Sequence, residues 1–162
     1  MGAESTSVTI TGATPASTTP VITFDTVTLS GSDTTTTGSA TWSVADPRGT
    51  GAGWNVTVVS TDFIGTIDGV VKTIDIDAGN QDLLVSIASI AISAGNAAPT
   101  TTITSDTDVP FSGATPLKIL SAAVDAGMGS YTYVPTFTLE IPTSTVAGTY
   151  AAAVTVTINA GP

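Results

Sequence analysis

The sequence predicts an all-β chain: an antiparallel β-sandwich with Greek-key-like connections and few or no helices. Three observations carry that expectation. Thr supplies 33 of the 162 residues, and Thr, Val and Ile suit pleated strands because their branched Cβ packs on a sheet. Apolar residues recur at every second position in short runs. Clusters of Gly, Pro, Asp and Ser separate those runs, as turns do in a sandwich. With 41% apolar residues and a mean hydropathy of +0.39 the chain is too apolar to remain disordered, and its length suits one domain.

Taken in order, residues 5–11 read as a first strand with Val8 and Ile10 on one face, ended by Gly12-Ala13-Thr14-Pro15. Residues 1–20 are thus expected to form an N-terminal strand and linker, open to exchange with a neighbouring molecule, and residues 21–162 the sandwich. Residues 21–30 offer Ile22, Phe24 and Leu29 as inward groups, and Gly31-Ser32-Asp33 with four threonines reads as a polar turn. Ala40, Trp42 and Val44 then alternate with polar or small residues, as do Trp54, Val56 and Val58. The intervening segment 46–53 holds one Pro and three Gly, a composition that predicts a tight hairpin between these two strands.

In the middle of the chain, Lys72, Ile74 and Ile76 alternate with Val71, Thr73 and Asp75, with turns marked by Gly65, Gly69 and Gly79. Residues 83–92 fit a strand or, through Leu84, Ile87 and Ala91, a helix. Residues 99–108 read as a Thr and Asp loop with a brief strand at 102–104. Residues 115–127, opened by Thr115-Pro116 and closed by Gly127, fit a capped helix, although a strand is favoured. Residues 131–141 place Phe137, Leu139 and Ile141 on one face, and residues 150–158 do the same with Ala152, Val154, Val156 and Ile158, which predicts a terminal hairpin.

Composition excludes several functions. Three basic residues, Arg48, Lys72 and Lys118, face thirteen acidic ones for a net charge of -10. No basic surface for nucleic acid or anionic lipid can be assembled from them. Without His or Cys there is no thiol or imidazole nucleophile and no zinc or haem site of the usual kinds. Neither a catalytic residue, nor a cofactor, nor a metal site is expected. No apolar run reaches the length of a membrane span. Met1-Gly2 ahead of Ala3-Glu4 reads as a start placed where a leader was removed. The composition is that of a secreted, surface-displayed protein.

Residues 41–63, TWSVADPRGTGAGWNVTVVSTDF, and residues 119–158, ILSAAVDAGMGSYTYVPTFTLEIPTSTVAGTYAAAVTVTI, resemble the proximal and distal parts of WxL-type cell-wall-binding domains of Gram-positive bacteria. That family carries an Asp-Xaa-Arg-Gly turn before a first Trp-Xaa-Leu, and a second Trp-Xaa-Leu in the penultimate strand. Asp46, Arg48 and Gly49 match the turn. Trp54-Asn55-Val56 stands at the first tripeptide and Phe137-Thr138-Leu139 at the second. The resemblance implies an extracellular, non-enzymatic module on the cell surface or in the cell wall, with a wall polymer or other surface proteins as partners. It places Trp54, Asn55, Val56, Phe137, Thr138 and Leu139 at the binding site.

Trp42 and Trp54 also fit two roles on their own chemistry. Both occupy apolar phases, where an indole anchors a core; a sugar ring stacked on Trp54 or Trp42 is the alternative, with Tyr131, Tyr133 and Tyr150 as further platforms. Asp68, Asp75, Asp77, Asp82, Asp106 and Asp108 read as solvated turns rather than a Ca²⁺ site. Lys118, Asn159 and Glu140 make a candidate isopeptide set, against a lysine that merely reaches solvent. A second function follows from the detached first strand. Val8 and Ile10 suit insertion into a neighbour's sheet, which would build a homopolymeric filament by donor-strand exchange.

Overall fold

A computed structural model describes residues 8–77, 83–101 and 115–162. All of its regular elements are strands, arranged as antiparallel sheets packed in a sandwich. In order they are β1 (Ala16–Thr18), β2 (Thr34–Ser39), β3 (Trp42–Asp46), β4 (Trp54–Ser60), β5 (Phe63–Ile67), β6 (Val70–Ile74), β7 (Leu83–Gly95), β8 (Thr100–Thr101), β9 (Leu117–Ala122), β10 (Gly129–Ile141) and β11 (Val154–Ala160).

The first sheet is organised by β10. β7 pairs along one flank, while β3 and β2 share the other, β3 opposite Gly129–Tyr133 and β2 opposite Thr136–Ile141. β2 and β3 are therefore one long strand interrupted at Ala40-Thr41. The N-terminal segment runs antiparallel along their outer edge: Ala13 N–H donates to Pro47 O, β1 pairs with β3, and Phe24 bridges to Gly38. The second sheet has the order β11-β4-β9-β8, and β5 and β6 form a separate hairpin about Asp68-Gly69.

The core lies where the alternation predicts. Trp42, Val44, Trp54, Val56, Val58, Phe137, Leu139 and Ile141 are all buried between the sheets, as are Ile74 and Ile76. Residues 83–95 are strand rather than helix, and so are residues 117–122.

Pairing departs from expectation in two places. β3 and β4 are not a hairpin, because β3 lies in the first sheet and β4 in the second. Gly49, Gly51 and Gly53 all take positive φ, and the connection carries the chain across the sandwich instead of back along its neighbour. β10 and β11 likewise belong to opposite sheets, so the chain does not end in a hairpin. Turn chemistry specifies a reversal, and a reversal serves both purposes.

Four local expectations also change. Of the strand expected over residues 5–11, residues 5–7 lie outside the described residues, and residues 8–11 form no strand, with Val8 and Ile10 83% and 87% exposed; the first strand among the described residues is Ala16–Thr18, within the expected linker. The four threonines 34–37 open β2 instead of forming a turn, since Thr36 is buried and its hydroxyl donates to Asp25 O. Residues 21–30 make a single bridge rather than a strand; Ile22 and Phe24 pack inward, but Leu29 is exposed. Gly65 sits inside β5, where a Cβ would strike Thr149 O. Gly79, Asp82, the brief strand at 102–104, Asp106 and Asp108 lie outside the described residues.

Candidate functional site

The sandwich has two ends. One is built from the signature turn. Asp46 closes β3 with its carboxylate buried, which requires a partner for the charge. Arg48 supplies it as a fork, Nε to Oδ1 at 2.7 Å and the NH2 nitrogen to Oδ2 at 2.9 Å. The same guanidinium nitrogen donates to Gly53 O at 2.7 Å, fixing the chain just before Trp54. The Arg48 hydrogen bond holds the Asp46 carboxyl below the usual aspartate range despite its burial, and that pairing raises the guanidinium in turn.

Trp54 is fully enclosed, its Nε1–H donating to Gly127 O at 2.8 Å. Its ring lies 6.2 Å from that of Tyr131, tilted by 48°. The Tyr131 hydroxyl is 3.0 Å from Met128 O, within a loop that Asn96 holds from both sides: Met128 N–H donates to Asn96 Oδ1, and Asn96 Nδ2 to Asp125 O. Burial, and then the nearby Asp46 charge, push the Tyr131 phenol up. The end of the sandwich is thus one network joining β3, β4, β7 and β10. Asn96 belongs to it without any sequence signal, because its partners are backbone groups of a distant loop. Gly127 was legible only as a stop.

The second tripeptide lies on the facing sheet. Phe137 and Leu139 are buried, and Phe137 packs 5.8 Å from Trp42, which also meets Tyr133 edge-on at 6.0 Å. Trp42 Nε1–H donates to Pro20 O, tying the N-terminal segment to the core. Trp42 and Phe137 form part of the floor of a lateral cavity of about 580 Å³, whose rims are residues 19–24 on one side and 149–156 on the other.

The expected binding residues therefore fall into three groups. Trp54, Val56 and Leu139 are core side chains. Trp42 and Phe137 are core side chains that floor the lateral cavity. Asn55 and Thr138 occupy the opposite phases of their strands and are half-buried on the outer faces of different sheets, so one small ligand cannot touch both. A sugar stacked on the Trp54 ring is ruled out by its enclosure, which follows from an indole's large apolar area and single donor both being satisfied inside. Tyr131 and Tyr133 are buried too, and Tyr150 is half-buried.

The isopeptide set does not assemble. Lys118 and Asn159 flank β4 in the second sheet, where Asn159 donates to Asn55 Oδ1 and Thr57 Oγ1, whereas Glu140 is on β10 in the first. Among the described residues no three His, Cys, Asp or Glu are grouped to hold a metal ion.

The fold and the signature end together define an antiparallel β-sandwich pinned at one end by an Asp-Arg turn and a buried tryptophan. The chain belongs to the WxL domain family of surface cell wall-binding domains, whose family model matches residues 9–162. It is an extracellular, non-enzymatic domain of the cell surface. No curated protein and no solved structure matches it.

Proposed function

We propose that this domain attaches to the bacterial cell surface by noncovalent contact of its outer faces with wall glycan or with other surface proteins. The observation that supports this reading most is the family match over residues 9–162, with the matching turn Asp46-Arg48-Gly49 formed as a fork that also holds Gly53 O ahead of Trp54. In this reading the buried tripeptide residues act from within. Trp54, Val56, Phe137, Leu139 and Trp42 hold the sheets, Thr138 lies half-buried on an outer face, and Asn55, half-buried on the other, is tied to Gly161 O and to Asn159. With a net charge of -10 the domain is repelled by anionic wall polymers, so the attraction comes from hydrogen bonding and packing. A pull-down with purified peptidoglycan tests it: retention on the insoluble wall is expected, and a protein left in the supernatant rejects wall binding.

A second reading, a filament subunit joined by donor-strand exchange, is favoured by one observation. Val8 and Ile10, two β-branched residues spaced for one face of a strand, stand 83% and 87% exposed and outside every ladder among the described residues. Apolar side chains so placed gain most by entering another molecule's sheet.

A further inference from the structure

We infer that the lateral cavity beside β11 is the acceptor for residues 8–11 of a second copy of this chain, an inference that rests on the strand-exchange reading.

The first argument is an incomplete cover. β11 is the edge of its sheet and, among the described residues, has β4 as its only ladder partner. Val154, Val156 and Ile158 share an inward face with Val56 and Val58 of β4. Those two are enclosed, whereas the three on β11 remain only half-buried. What Val154 and Val156 lack is a neighbour on the open side, where the 580 Å³ cavity lies, floored by Trp42, Phe63 and Phe137. An unpaired strand edge alongside apolar space suits an added strand: main-chain hydrogen bonds form along the edge and alternate side chains fill the space.

The second argument is placement. Gly12 abuts Arg48 O and Ala13 N–H donates to Pro47 O, so residues 8–11 leave the molecule at the signature end. Val154 and Val156 pair with Ser60 and Val58, four to six residues along β4 from Trp54, or about 14–20 Å from that end. Ile10, two residues before Gly12, reaches only about 7 Å. The chain cannot seat both Val8 and Ile10 in its own cavity without stripping β1 from β3. A second copy can. Donor and acceptor lie apart on the molecule, so a one-way insertion is heterologous and, repeated, gives an open head-to-tail chain.

The test combines light scattering after size exclusion with electron microscopy. Wild-type protein is expected to form linear oligomers. The neutral double variant Val8→Ser/Ile10→Ser is expected to stay folded and associate about 100-fold more weakly. Ala152→Trp, which fills the cavity, should have the same effect, and Thr155→Trp on the exposed face of β11 should not. A synthetic peptide of residues 5–14 added to the double variant should bind and shift tryptophan emission, because Trp42 floors the cavity and Trp54 is sealed. That peptide arm stands even if Ala152→Trp fails to fold. Assembly lost in the double variant, but retained with undiminished peptide binding in Ala152→Trp, overturns the cavity as acceptor while leaving strand exchange intact. Monomeric wild type with no peptide binding overturns both. A glycan fragment that shifts Trp42 emission where the peptide does not makes the cavity a ligand site and also overturns the inference.

Discussion

Among the described residues the buried hydroxyl of Tyr133 has no hydrogen-bond partner, and the ring stands against an edge-on Trp42. Burial pushes its phenol well above the ordinary tyrosine range. An unpaired buried hydroxyl costs stability that its removal returns, so Tyr133→Phe is expected to stabilise the fold by about 0.5–2 kcal/mol in urea unfolding. The pH dependence has a definite sign. Unfolded tyrosines ionise near pH ~10, while Tyr131 and Tyr133 keep their protons in the folded state, so stability falls above that pH and Tyr133→Phe should fall less. Asp46 works at the opposite limit. Its folded pKa is depressed by Arg48, so its contribution is complete above the unfolded aspartate range and is lost as pH falls through the lower folded value. Asp46→Asn should cost about 2–4 kcal/mol at neutral pH, and its deficit relative to wild type should shrink below pH ~4. An unchanged urea midpoint at pH 7 would show that the fork contributes nothing.

At the level of elements, strand faces were legible and strand partners were not. The period-two pattern located Trp54, Val56 and Val58, and Phe137, Leu139 and Ile141, because burial acts on each residue separately. Pairing depends on where a turn aims the chain. The three glycines between β3 and β4 read as a hairpin and instead cross between sheets, steered by Arg48 bonding both Asp46 and Gly53. The four threonines read as a turn because they are polar, yet Thr36 is buried by bonding its hydroxyl to Asp25 O. Gly127 offers a test at this scale. It takes φ +71°, and a Cβ there would collide with Ala122 Cβ and lie 2.7 Å from Trp54 Nε1. Gly127→Ala is expected to destabilise by about 2–4 kcal/mol and to loosen Trp54, read as a red shift in fluorescence.

For the whole molecule, composition and resemblance located the domain outside the cell and in its family, while the contact surface was not readable. The motif residues that suggested a binding site proved mostly internal, since the residues that make a family recognisable by sequence are often those that hold its fold. Charge remains a usable handle. At -10 the domain and an acidic wall repel each other at range, and salt screens that repulsion within about 10 Å at 0.1 M. Retention on walls rich in anionic polymer should therefore rise between low and moderate salt; a steep fall would indicate attraction through cations instead.

The hairpin of β5 and β6 stands outside both main sheets and carries Lys72 two residues from its turn. Trypsin has only Arg48, Lys72 and Lys118 to attack; Arg48 is clamped by Asp46 and Lys118 lies on β9, which is held between β4 and β8, whereas Lys72 is paired, among the described residues, only with Gly65 in the two-stranded hairpin. Digestion of the native domain should begin with a single nick at Lys72, leaving two fragments that stay together until denaturant parts them.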